Sequence, residues 1–190
     1  MKDIDNRFFT WDYAKDNLQV CLRRKAEDNI LKRDFLDLEM YVRVIIDDTR
    51  SYRVQREMFD VNEDEIFTMA LNKAKENATV EDMEKVIEGF GIQVQNMPFK
   101  DVVLSNKSGK YGAVTIILKN VLADIAMEYD SSFVILPSSI HECIARINNN
   151  PNMERYAAMV RKVNEEEVPP EYVLGDHAYF YNKETGEITW

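Results

Sequence analysis

The stretch from Leu38 to Ile46 alternates strictly: Leu38, Met40, Val42, Val44 and Ile46 fall on one face, Glu39, Tyr41 and Arg43 on the other. A period of two matches the pleat of a strand and fits no helix. The predicted strand, Phe35 to Ile46, therefore belongs to a sheet with one apolar face and one part-wet face. Asp47-Asp48-Thr49-Arg50-Ser51 reads as a turn, and Tyr52 to Phe59 as the returning antiparallel partner. Leu18 to Leu22 alternates more weakly. Arg23 to Arg33 is polar and predicted irregular. Ahead of these, Phe8, Phe9, Trp11 and Tyr13 form a short helix or a docking arm.

Helical spacing takes over in the middle. Asn62 is placed to cap a helix whose first turn holds Glu63, Asp64 and Glu65, where the helix dipole favours acids. Its apolar face is Ile66, Phe67, Ala70, Leu71 and Ala74. Thr79 is placed to cap a second helix with the stripe Met83, Val86, Ile87 and Phe90, ended by Gly89 and Gly91. Later come a strand over 101–104, a turn over Ser105–Lys110, and a hairpin partner over Ala113–Leu118. A helix striped by Val121, Leu122, Ile125 and Ala126 follows. Phe133-Val134-Ile135-Leu136, stopped by Pro137, predicts a well-buried strand. Pro151 opens a last long helix, and a hairpin crosses 182–186. Hairpins alternating with helices predict an α+β fold: a mostly antiparallel sheet built of hairpins and covered on one side by amphipathic helices. A doubly wound parallel fold ranks below it. The expected organisation is one domain over residues 1–190 with a helical subregion at 62–91.

The chain carries 24 Lys and Arg against 34 Asp and Glu, a formal net charge of −10. That field disfavours nonspecific binding to nucleic acid and to anionic membranes. No apolar stretch is long enough to span a membrane and no secretory leader is visible, so a cytoplasmic setting is expected. Cys21 and Cys143 allow one disulfide by arithmetic, but reduced, buried thiols are the default expectation.

The most chemical segment is Ser138-Ser139-Ile140-His141-Glu142. Serine, histidine and a carboxylate are the parts of nucleophilic hydrolysis. The Gly-x-Ser-x-Gly elbow is absent, and the bland alternative is a serine capping a short helix that starts at Ile140. Ser105 and Asn106 open a small, polar turn that offers backbone amides to a phosphate, or simply closes a hairpin. Asp176 and His177, with His141, Glu142 and Cys143, contain metal-ligand types but no ligand spacing, so neither a metal nor a cofactor is expected. Arg23, Arg24, Lys25, Lys32 and Arg33 form the densest basic stretch, diluted by Glu27, Asp28 and Asp34. Arg50, Arg53 and Arg56 likewise lie among Asp47, Asp48 and Glu57. The Glu165-Glu166-Glu167 run offers carboxylates to a hard cation but reads first as a solvated helix end, and the Asp34/Asp37 pair has the residue types for acid–base work with no partner identifiable from spacing. Trp11 and Trp190 are interaction anchors if exposed and core if buried.

Five strings in order, Asp34–Leu38, Val103–Asn106 with Tyr111-Gly112-Ala113, Ile135–Glu142, Met159–Asn164 and Val173–Tyr181, resemble a bacterial family of uncharacterised proteins, the domain of unknown function numbered 5688. The resemblance implies a bacterial, cytoplasmic protein, from a family common in gut Firmicutes and often associated with mobile elements. It brings no activity with it. Its typical positions are Asp37, Ser105, Asn106, Ser138, Ser139, His141, Glu142, Asn164, Asp176 and Tyr179. Gly175 stands where the family more usually has serine, and Cys143 where an aliphatic residue is common.

Two function classes follow. The leading one is a non-enzymatic protein-interaction or regulatory module with a protein partner, which requires exposed apolar or aromatic surface. The rival is a small hydrolase or ligand-binding enzyme centred on Ser138, Ser139, His141 and Glu142, with Asn106 and His177, which requires those side chains to converge on one cleft.

Overall fold

The computed structural model describes residues 6–94 and 97–190. It divides into two compact units, one ending at Asn77 and the other starting at Ala78. All strand pairing within both is antiparallel.

In the first unit, α1 (Trp11–Ala14) precedes β1 (Leu18–Arg24), β2 (Lys32–Phe35), β3 (Leu38–Ile45), β4 (Ser51–Arg53) and α2 (Glu63–Asn77). The expected strand over Phe35 to Ile46 is two strands: Leu36 takes a left-handed φ of 56° and turns β2 back onto β3. The β1 strand occupies one edge of β3 over its length, from Leu18 opposite Val44 to Arg24 opposite Leu38. A strand has only two edges, so β2 and β4 share the other, β2 on residues 38–41 and β4 on 43–45. The Arg23–Arg33 stretch is likewise partly strand, in β1 and β2. Asn62 Oδ1 accepts from the Asp64 amide at 2.7 Å and starts α2, which packs on β1 with Ile66, Phe67 and Ala70 buried. The aromatic residues ahead of β1 are tied down: Tyr52 donates to the Phe8 carbonyl at 2.7 Å, and the Trp11 and Phe59 rings sit 5.5 Å apart.

The basic stretch of this unit is knotted into carboxylates. Glu39, only 3% exposed, accepts from Arg23 Nε at 2.7 Å and lies 3.4 Å from Lys32 Nζ. Arg23 also grips both oxygens of Asp28 at 2.7 Å, Lys25 pairs with Asp34 at 3.1 Å, and Arg33 pairs with Asp64. A buried carboxylate is tolerable only with such partners.

The second unit holds β5 (Ala78–Asp82), α3 (Met83–Gly89), β6 (Asp101–Asn106), α4 (Lys119–Glu128), β7 (Phe133–Pro137), β8 (Cys143–Ile147), α5 (Met153–Glu166), β9 (Tyr179–Asn182) and β10 (Glu187–Thr189). The sheet order is β10-β9-β7-β8-β6-β5. Three expectations are corrected. Thr79 lies in β5, and the cap of α3 is Asp82, which accepts from the Glu84 amide at 3.0 Å. Residues Gly112–Ile117 form a 3-10 helix, so β6 pairs with β8 and β5 instead. The sheet is not covered on one side only. In β7, Val134 and Leu136 join Tyr156 and Val160 of α5 in a buried cluster, while Phe133 and Ile135, which point the opposite way, are also fully buried. Asn152 caps α5 by accepting from the Arg155 amide at 3.0 Å. Among the described residues no helix is long and apolar enough to cross a membrane. Cys21 and Cys143 are free and buried, and each unit holds one.

Candidate functional site

The β7–β8 connection is Ser138 to Glu142, the segment with the most chemical composition. No helix starts at Ile140; the segment is a hairpin loop. The Ser139 amide donates to the Glu142 carbonyl at 3.1 Å and closes the loop, while Ser139 Oγ accepts from the His141 amide at 3.0 Å. Ser138 Oγ lies 3.4 Å from Glu142 Oε1. Two neighbours then clamp the loop. Ile140 donates to the Tyr172 carbonyl at 2.8 Å, and Ser105, near the end of β6, donates through Oγ to the His141 carbonyl at 2.9 Å.

The loop after β6 is built to match. Asn106 holds the turn by donating to the Lys110 carbonyl at 2.9 Å and accepting from the Ser108 amide at 3.0 Å. Tyr111 follows in the left-handed region at φ 58°. Its amide donates to His141 Nδ1 at 3.1 Å. Thr115 Oγ1 anchors the 3-10 helix by donating to the Ser105 carbonyl at 2.7 Å. Gly112 sits where no side chain fits: an added Cβ would lie 2.6 Å from the His141 carbonyl oxygen and 2.7 Å from the Asn106 nitrogen, with Ser105 Oγ closer still.

The structure therefore brings Ser105, Asn106, Ser138, Ser139, His141 and Glu142 together. Asp176 and His177 take different partners. Asn164 of α5 donates to the Gly175 carbonyl at 2.8 Å and reaches Asp176 Oδ1 at 3.4 Å. The His177 ring stacks on Trp190 at 6.5 Å and meets Tyr179 edge-on at 4.7 Å. Tyr111 and Tyr172, which sequence reasoning did not place at the site, flank the His141 ring edge-on at 5.5 and 4.8 Å. Tyr111 directly follows the small polar turn and belongs to the Tyr111-Gly112-Ala113 string, and those were its signals. Tyr172 arrives from a distant segment behind Pro169-Pro170, and nothing in local sequence links it to His141.

The chemistry of this cluster follows from where its hydrogens are. A backbone N–H only donates, so His141 Nδ1 is an acceptor and the neutral ring carries its proton on Nε2. Burial holds the His141 pKa below its ordinary value; the Glu142 carboxylate opposes that, and Lys110 adds to it. Both serine contacts to this residue, from Ser105 and Ser139, reach its main chain rather than its ring. A serine nucleophile needs the unprotonated imidazole nitrogen as its base, and here that nitrogen is taken by Tyr111.

The sequence matches the family of unknown function DUF5688 over residues 2–183. The chain belongs to this family. No curated protein and no solved structure matches it. Eight of the positions singled out from the sequence are hydrogen-bonding parts of two clasps: Ser105, Asn106, Ser138, Ser139, His141 and Glu142 in one, Asn164 and Asp176 in the other. Among the described residues, no group of three His, Cys, Asp or Glu side chains is placed to hold a metal ion.

Proposed function

We propose that this DUF5688 chain is a non-enzymatic protein-interaction or regulatory module of a bacterial cell or mobile element, working in the cytoplasm. One observation carries the reading. Large apolar side chains of the second unit stand in solvent: Phe90 is 80% exposed, Trp190 61% and Ile92 58%. Aromatic anchors of this kind dominate binding energy when a partner desolvates them. In the Ser/His/Glu cluster, in contrast, Ser105 Oγ, Ser139 Oγ and His141 Nδ1 all bond to backbone groups.

The test is affinity capture of the tagged full chain from its source cells, with mass spectrometry of what co-elutes. A stoichiometric protein that is lost with Phe90→Ala or Trp190→Ala supports the reading. Turnover in a hydrolase-substrate screen that disappears in Ser138→Ala, Ser139→Ala and His141→Ala would replace it with the enzyme reading.

A further inference from the structure

We propose that the bond from the Tyr111 amide to His141 Nδ1 is an acid-operated latch: it holds the turn after β6 against the β7–β8 loop, and it lets Tyr111 go when the ring takes up a second proton. The inference is independent of the interaction reading. It stands on the direction of one hydrogen bond. The Tyr111 N–H can only donate and lies 3.1 Å from Nδ1, so Nδ1 accepts. Protonation puts an N–H at that same position. Two donors then face each other, and the Tyr111 amide loses its partner.

The surroundings decide which side yields. The His141 main chain is held on both sides: its carbonyl accepts from Ser105 Oγ at 2.9 Å, and its amide donates to Ser139 Oγ at 3.0 Å. The ring is hemmed in by Tyr111 and Tyr172, edge-on at 5.5 and 4.8 Å. Gly112 packs so closely on the His141 carbonyl that no Cβ fits, and Asn106 closes its own turn through Ser108 and Lys110. Between these anchors stands Tyr111, half-buried at φ 58°. An L residue holds that left-handed backbone only where its surroundings impose it. Tyr111 is therefore the part that moves.

Ionisable side chains face the ring from each segment packed on it. Glu142, on the same loop, favours the second proton, while Lys110 opposes it; Tyr111 and Tyr172 present uncharged rings. Burial opposes the proton most, so the folded pKa lies below 6.5. The latch is closed at neutral pH and opens as pH falls through that folded value.

The experiment follows amide hydrogen exchange of the full chain by NMR between pH 7.5 and 5.0, corrected for intrinsic rates, with the His141 ring titrated in the same samples and in urea. Tyr111 protection should fall with the native His141 titration. The full fall should equal the ratio of the ring's acid constants in the native and urea-unfolded chain, tenfold for each pH unit between the two midpoints. Amides of the β7–β8 ladder should keep their protection. His141→Asn offers an oxygen near the Nδ1 position and takes no proton, so Tyr111 protection in that variant should not change with pH. A Tyr111 amide already unprotected at pH 7.5 overturns the inference, as does protection that stays level across the His141 titration. So does a fall shared by the β7–β8 ladder, which is general unfolding, or an equal fall in His141→Asn. Should that variant fail to fold, the wild-type titration decides alone.

Discussion

Replacing Gly112 by alanine tests whether the clasp between the two loops is as tight as its geometry. The new methyl would sit 2.6 Å from the His141 carbonyl oxygen and 2.7 Å from the Asn106 nitrogen. Both are backbone atoms, so no rotamer change relieves the overlap. Overpacking of this kind costs about 1–3 kcal/mol. Gly112 does not occupy the left-handed region, so alanine recovers about 0.4–1 kcal/mol by restricting the unfolded chain. The net loss is about 1–2 kcal/mol, which at a urea slope of about 2 kcal/mol per molar lowers the midpoint by about 0.5–1 M. Two comparisons sharpen the test. Gly89→Ala meets nothing within 4 Å and should raise stability slightly, while Gly175→Ala meets Tyr179 Oη at 3.4 Å and should fall between the two. Adding Ser105→Ala to Gly112→Ala removes the side-chain clash together with the Ser105–His141 hydrogen bond, leaves both backbone overlaps and should not rescue it. A Gly112→Ala midpoint at or above wild type, or full rescue by Ser105→Ala, would refute the reasoning.

The pH dependence of His141 has a definite sign. Its folded pKa is lowered from 6.5 by burial, so the unfolded chain binds the extra proton first. Its contribution is full above about pH 6.5 and is lost as pH falls through the window below it; the urea midpoint should drop more between pH 7.5 and 5.5 in wild type than in His141→Ala, and equal drops would count against the assignment. Arg146 Nε pairs with Asp101, which is 4% exposed, at 2.8 Å. Arg146→Met should therefore cost about 3–5 kcal/mol in chemical denaturation, and adding Asp101→Asn should restore much of it. Burial pushes the Cys21 thiol up to about 12 and raises that of Cys143 as well. Both should resist Ellman's reagent in the native protein and react promptly in denaturant.

Where local chemistry and tertiary packing agree, the elements are legible from residues alone. The Asn62 cap, the Ile66/Phe67/Ala70 face, the Val121–Ala126 stripe and the Phe133–Leu136 run all behave as their patterns demand. The misreadings share a cause. Leu36 turns with a left-handed backbone although it is neither glycine nor asparagine, so no turn signal separated β2 from β3. Residues 113–117 are rich in strand formers, but the Thr115 bond to Ser105 and the close approach at Gly112 hold them in a 3-10 helix. Ser138 and Ser139 have the composition of a helix cap; contacts from Tyr172 and Ser105, remote in the chain, bend the segment into a loop and leave Cys143–Ile147 as a strand. At the candidate site the participants were legible, but their roles depended on which atom of His141 each one touched.

The order β10-β9-β7-β8-β6-β5 has a property that reaches beyond architecture. Moving outward from the β7–β8 hairpin in space is also moving outward along the chain, backward through β6 to β5 and forward through β9 to β10. The sheet is nested like a palindrome around residues 138–142. Shortening the second unit from either side therefore peels away one outermost strand at a time and leaves the remaining ladder continuous. A cut inside 138–142 severs the centre, so proteolytic nicking there and trimming at residue 190 are opposite operations on the same sheet.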